Sequence, residues 1–333
     1  GDDPGIITWV PSVLEKAKKT GMALLNDNSL IDLSLNEIPK GKSILKPISN
    51  EEIKKFDNYK VDQLEKFICK NIQNTNLAEL GIKYDLKELD EPIPNRIHIL
   101  RINLSSKKLE PKVELGPDPD GNGPAEVALT DPRKLASKPS VLAFINTNPW
   151  DSFPNNEGKK NRSWHLGQPV DIHGLAGTKS ILRSTTTPSN TSVWFDTSGK
   201  VHFGHQSNDS PKEATTGFQL IVSDGKLTVG KGGPRHPRTA IGANKSGEIL
   251  WLVVVDGRQK GFSEGMDMHE LATIMKELGC WHATNMDGGG SSVMGLINKS
   301  GEMKIMNSPS DRFLGLKRIR PLPMVLTIRK KSS

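Results

Sequence analysis

Two apolar runs, Ile249–Val255 and Trp281–Met286, have the length of β-strands, and each ends on an aspartate followed by glycine. Between them, Asp267 stands three residues before Glu270. Leu271, Ile274, Met275 and Leu278 then keep helical spacing and Gly279 closes the segment. That order predicts a capped amphipathic helix. Strand, helix and strand in succession predict a βαβ crossover, whose two strands end at the same edge of one sheet. Asp256 and Asp287 would share that edge, where ligands tend to bind.

After Asp287 come Gly288, Gly289, Gly290, Ser291 and Ser292. A backbone without Cβ atoms can take positive φ, approach a ligand closely and turn amide N–H groups toward an anion. The serines add hydroxyl donors. A tight structural turn is the competing reading, and the flanking acid and serines favour binding.

These segments also carry a family resemblance. Arg238–Gly242 (RTAIG), Val255–Gln259 (VDGRQ) with Ser263 and Gly265, His269–Gly279 (HELATIMKELG) and above all Asn285–Ser292 (NMDGGGSS) resemble the phosphodiester glycosidase family. Phe144–Trp150 (FINTNPW) and Thr215–Lys226 (TTGFQLIVSDGK) resemble its weaker blocks, so the likeness runs over Ile97–Ile328. It implies hydrolysis of the bond between a sugar's anomeric carbon and a phosphodiester, with an N-acetylglucosamine-1-phosphodiester as prototype substrate.

A phosphate leaving group, with a second pKa of about 6, needs little protonation and mainly needs its charge neutralised. The usual pair of glycosidase carboxylates can then shrink to one essential acid plus cations. Asp287 is the first candidate for the carboxylate at the anomeric centre, as nucleophile or as base for water. Asp256 is the second, against a reading in which it only forms a salt bridge and shapes its turn. Glu270 lies in a resembling block and is a third candidate, although its spacing from Asp267 favours helix capping. Arg238 and Arg258 are assigned to the phosphodiester because guanidinium groups make two-pronged contacts to phosphate. Gly288, Gly289, Gly290 and Ser291 assist them. Asn146 and Asn285 are candidates for sugar hydroxyls or an acetamido group, and Thr239 and Ser263 are assigned to substrate with them. Trp150, Trp164 and His165 lie in the irregular stretch that follows Asn146, read as a lid or pocket wall in which Trp faces stack on a sugar.

Two other functions fit parts of the sequence. One is a metal-dependent phosphodiesterase cutting the phosphorus–oxygen bond, with Asp256 and Asp287 on a divalent cation. The other is a non-catalytic glycan-binding envelope protein. The first reading requires no cofactor and no metal.

The net charge is +7, and no zinc-finger spacing or aromatic-interleaved basic stretch accompanies it, so nucleic acid is not an expected partner. The expected partner is a small or polymeric glycan phosphodiester. No run approaches membrane-span length, so no membrane insertion by this chain is expected. The chain opens at Gly1 without methionine, which suggests a removed targeting segment and a secreted, periplasmic or envelope-anchored protein. Two cysteines, Cys69 and Cys280, do not make a disulfide scaffold.

The expected fold is mixed α/β (α+β), a mixed β-sheet flanked by helices, in a glycosidase-like domain spanning 95–333. Residues 1–94 read as a small helical extension, with capping boxes at Ser12/Glu15 and Ser49/Glu52 and an apolar stripe Leu64, Phe67, Ile68, Ile72. The prolines of Glu91–Arg96 mark the boundary. Strands are expected from Ile97 and over Leu109–Leu115, with His98 facing solvent. Hairpins are expected at Ser192–Phe203 and Gly217–Gly230.

Overall fold

A computed structural model of the chain describes residues 76–138, 140–153, 164–185, 190–205, 211–299 and 301–331, with the backbone of 22–24 and 30–32. The chain divides into two compact units. The first comprises Gly1–Thr75, Ser137–Ser140 and Ile297–Met303, and contains a short hairpin of Met22–Leu24 and Leu30–Asp32. The second comprises Asn76–Ala136, Val141–Leu296 and Lys304–Ser333. The expected capping boxes at Ser12 and Ser49, the stripe from Leu64 and Cys69 lie outside the described residues.

The second unit is built on a seven-stranded antiparallel sheet. Its order is Lys226–Leu227, Gln219–Ser223, His282–Asn285, Arg238–Ala243, Ile249–Val255, Asn95–Asn103, Ile82–Leu89. Ile249–Val255 and His282–Asn285 each pair antiparallel with Arg238–Ala243. They are therefore parallel to each other with one strand inserted between them. Their C-terminal ends share an edge with the N-terminal end of that middle strand, and Arg238, paired with Val255, enters the sheet there.

The connecting helix, Met268–Glu277, covers one face of this sheet. Asp267 and Glu270 form the full capping box, and Leu271, Ala272, Ile274 and Met275 pack against Ile99, Trp251, Val253 and Val255. Each large apolar side chain buried there contributes about 1.5–3 kcal/mol. Leu250, Leu252 and Val254 on the opposite face are fully buried as well, which explains why the run lacks polar alternation. Cys280 is a buried free thiol beneath the helix, its pKa pushed up by burial.

A second sheet has the order Met303–Ile305, Met294–Ile297, Val141–Asn146, Met324–Lys330, Leu109–Leu115. Its buried central strand ends on Asn146. A third, five-stranded sheet contains the expected hairpin of Ser192–Phe195 with Val201–Gly204. Gln219–Ser223 turns through Asp224 and Gly225, both at positive φ, into Lys226–Leu227, the other expected hairpin.

Three expectations are corrected. The fold is mainly β rather than a sheet flanked by helices: among the described residues, Met268–Glu277 is the one helix longer than four residues. The strands pair antiparallel, an arrangement that does not require helical crossovers. Next, Ile82–Leu89 is not helical; it is the edge strand paired with Asn95–Asn103, so the sheet unit begins at Asn76. Finally, the stretch after Asn146 is less irregular than expected. Trp150–Ser152 pairs with Pro169–Ile172, which pairs with Val127–Ala128. Among the described residues no helix is long and apolar enough to cross a membrane.

Candidate active site

Asp287 follows the His282–Asn285 strand at the shared edge, and its backbone is fixed from both sheets. Its N–H donates to Thr147 O (2.9 Å), and Asn146 Nδ2 donates to Asp287 O (2.7 Å). Asn146 Oδ1 in turn accepts from the Thr239 hydroxyl (2.8 Å) and Val293 N–H (3.1 Å). Asn146 is 1% and Thr239 0% exposed. Both are buried, Asn146 bonding the Asp287 peptide directly and Thr239 bonding Asn146. Met286 N–H completes the join by donating to Thr239 O (2.8 Å).

The Asp287 side chain is recessed but retains some solvent contact. Burial raises its pKa to about 6, against the opposing effects of the Ser291 hydroxyl, the Arg320 charge, the Gly288 N–H and His173. Gly288 N–H donates to Oδ1 at 3.0 Å. A carboxyl poised near neutrality between a hydroxyl and a guanidinium is able to take up and release a proton under working conditions.

The glycine turn brings arginines close, and most of its amides are already bonded within the protein. Gly289–Ser291 forms a 3₁₀ turn. Gly288 N–H goes to Asp287, Gly289 N–H to Pro237 O (3.0 Å), Ser291 N–H to Gly288 O (3.2 Å) and Ser292 N–H to Gly289 O (3.3 Å). Gly289 has φ +61°, and a Cβ there would lie 3.1 Å from Arg258 Nη1. A Cβ at Gly290 would fall on Asp311 and Arg320. Those two form a two-pronged ion pair (2.9 and 3.1 Å), and Arg320 Nη1 also reaches Ser291 Oγ at 3.4 Å. Missing Cβ atoms thus let Arg258 and the Arg320–Asp311 pair pack onto the turn that follows Asp287.

The two assigned arginines differ. Arg258 is exposed, at φ +58°, with one long contact from Nη2 to His236 Nδ1 (3.4 Å). Burial and the charges of Arg258 and Arg238 depress the His236 pKa, which favours the neutral ring that accepts this bond. Arg258 is the more exposed of the two guanidinium groups. Arg238 is 9% exposed and donates from Nε to Met266 O (2.9 Å) and from Nη2 to Pro234 O (2.9 Å), so it ties two loops together.

Asp256 is 2% exposed and saturated. His98 Nε2–H donates to Oδ2 (3.0 Å), while Asn307 Nδ2 (3.2 Å) and Ser308 N–H (2.8 Å) donate to Oδ1. Behind it, the Tyr84 hydroxyl bonds His98 Nδ1 at 2.9 Å; burial and the Asp256 charge push the Tyr84 pKa up. His98 was expected to face solvent. It is 4% exposed, because it pairs with Val254 on a sheet face that is itself covered. Ser263 is fully buried, donating to Asp256 O (2.7 Å) and accepting from Arg96 N–H (2.9 Å). Glu270 caps the helix, accepting from Asp267 N–H (2.9 Å), and pairs with Arg235 at 2.8 Å.

Asn285 is 2% exposed and its Oδ1 is buried without a partner among the described residues, as is Thr147 Oγ1. Trp150 is half-buried and His165 exposed. The half-buried Trp164 ring carries the Arg318 guanidinium at 3.9 Å from its centroid and Arg320 at 5.7 Å, so the loop and the C-terminal basic segment meet beside the site.

Sequence reasoning missed Arg320, Asp311 and the pair His173–Asp151. His173 Nε2 donates to Asp151 Oδ2 at 3.0 Å. His173 N–H donates to Pro149 O (2.9 Å), while Asn148 Nδ2 donates to His173 O (3.0 Å). The four residues Asn146–Pro149 therefore carry Asp287 at one end and His173 at the other. No local motif marks these contacts. Among the described residues no three His, Cys, Asp or Glu side chains are grouped to hold a metal ion.

Comparison with known proteins agrees with this architecture. A curated relative, the SPbeta prophage-derived uncharacterized protein YomE of Bacillus subtilis, is 28% identical over 190 residues, or 53% of this chain and 27% of that protein. The chain thus spans about a quarter of the curated relative it matches. Among solved structures, the zebrafish N-acetylglucosamine-1-phosphodiester alpha-N-acetylglucosaminidase catalytic domain, auto-inhibited by its pro-peptide, aligns with TM-score 0.54 at 19% identity. The alignment covers 78% of this chain and 85% of that one. A hypothetical protein from Synechocystis aligns with TM-score 0.49 at 13% identity, over 75% and 62% of the two chains. The family model for phosphodiester glycosidase (NAGPA) matches residues 151–329, and the chain belongs to that family.

Proposed function

We propose that this protein hydrolyses the bond between a sugar's anomeric carbon and a phosphodiester, on substrates resembling N-acetylglucosamine-1-phosphodiesters. The observation that carries the reading is the environment of Asp287: one recessed carboxyl with a raised pKa, between Ser291–Arg320 and a glycine turn on which the exposed Arg258 lies. Asp287 acts at the anomeric carbon, as nucleophile or as base for water. Water supplies the hydroxyl at that carbon, and the phosphate departs as a monoester. Arg258 and Arg320 neutralise its developing charge, which is the main requirement for so good a leaving group. His173, held by Asp151, adds a further charge acting on Asp287. Asn146 and Thr239 position Asp287, while Asp256 stabilises the edge from which it projects.

The family match and the zebrafish fold likeness support this reading. The test is a panel of sugar-1-phosphodiesters incubated with the full chain, with the products identified. Free sugar plus phosphomonoester is the expected outcome, and release of a sugar phosphate would overturn the assignment.

A further inference from the structure

The C-terminal basic segment contains a feature that hydrolysis does not use. Arg312–Phe313 and Leu316–Lys317 form a small hairpin, paired Arg312 with Lys317 and Phe313 with Leu316. Its tip is Leu314 (φ 49°) and Gly315 (φ 80°), the two successive positive φ angles of a type I′ turn. Three large apolar side chains stand out from it: Phe313 is 60%, Leu314 87% and Leu316 74% exposed. A two-stranded ribbon has no core of its own, and such a tip in water is unfavourable unless something covers it.

The base, in contrast, is anchored and cationic. Arg318 N–H donates to Asp311 O (2.9 Å), and Arg312 Nη2 donates to Gln259 Oε1 (2.9 Å). Arg318 lies between the rings of Trp164 (3.9 Å) and Phe313 (5.6 Å). Lys317 Nζ is 5.9 Å from the ring centre of Phe262, itself 41% exposed. Exposed apolar side chains at the tip and cations lying against aromatic rings at the base match the acyl region and the charged headgroups of an anionic bilayer surface. The net charge of +7 acts in the same direction.

We infer that this hairpin docks the protein onto an anionic phospholipid surface through Phe313, Leu314 and Leu316, with Arg312, Lys317 and Arg318 among the headgroups. Arg320, three residues beyond Lys317, reaches Ser291 beside Asp287, so docking brings the catalytic edge close to the membrane. Resting on the proposed reaction, the corollary is a substrate class: sugar-1-phosphodiesters carried on a lipid or held close to the bilayer.

The test is co-sedimentation of the full chain with phosphatidylcholine vesicles containing roughly 30% phosphatidylglycerol, against pure phosphatidylcholine. The wild type should bind the anionic vesicles, and less tightly at high salt. Replacing Leu314→Ser and Leu316→Ser together should weaken partitioning at least about tenfold without moving the thermal unfolding midpoint. Lys317→Glu should weaken binding to the anionic vesicles alone. Absence of wild-type binding, or unchanged binding by the double serine variant, would overturn the proposal. So would concentration-dependent self-association abolished by the same variant, since a second copy would then be the occupant. Asp287→Asn should bind vesicles normally, so loss of catalysis and loss of docking are read separately.

Discussion

Replacing Asp287 by asparagine removes a charge that the fold holds at an energetic cost. The carboxyl pKa rises from 3.8 to about 6 on folding, which corresponds to about 3 kcal/mol of preference for the neutral form. The sign follows from proton binding. Between pH 4 and pH 6, roughly, the folded state holds the proton that the unfolded state has lost, so stability falls as pH rises, and above that window the whole penalty applies. An uncharged isostere escapes it and can still accept the Gly288 N–H. With partial exposure screening some of the effect, Asp287→Asn should stabilise the protein at neutral pH by about 1.5–3 kcal/mol. For a unit of this size that is an unfolding midpoint roughly 3–9 °C higher. At pH 4 the gain should nearly vanish, while turnover at neutral pH should fall at least about a thousandfold. Thermal unfolding of both proteins from pH 4 to pH 8 reads this directly. A midpoint lowered equally at both ends would mean that Asp287 is an ordinary structural carboxylate and that the burial argument is mistaken.

Three further outcomes follow from the same geometry. His98→Ala leaves Asp256 buried with a charge it shares only with Asn307 and Ser308, and should destabilise by about 3–5 kcal/mol in chemical denaturation; a near-neutral effect would contradict the structural role given to Asp256. Arg258→Ala should weaken phosphodiester substrates about 10–100-fold in kcat/KM yet spare a neutral aryl glycoside, and equal losses on both would remove Arg258 from the phosphate. Because the Arg320 charge lowers the Asp287 pKa, Arg320→Ala should move the acidic limb of the pH–rate profile upward from about 6, and an unmoved limb would disconnect the two residues.

Much of the framework was legible where the signals are local. The Asp267/Glu270 capping box and the hairpin turns are readable from spacing, and the strand–helix–strand order places Asp256 and Asp287 at one edge. The inserted Arg238–Ala243 strand was not legible, because a crossover signal fixes the direction of its strands and not what lies between them. Inward and outward faces were also hidden. Where a strand is buried on both sides, alternation carries no information, so His98 looked solvent-facing and Asp256 looked available. Arg320 and His173 act on Asp287 through their charges from far along the chain, and such effects leave no spacing to read. The glycine triplet is legible as a place of close approach, but not that the Arg258 and Arg320 side chains are what packs there.

The central claim is that a carboxylate directs water to the anomeric carbon. Hydrolysis of a sugar-1-phosphodiester in heavy-oxygen water, followed by mass spectrometry of both products, tests it most directly. The account predicts the label in the sugar, at its anomeric hydroxyl, and none in the phosphomonoester. Label in the phosphate would show attack at phosphorus and contradict it.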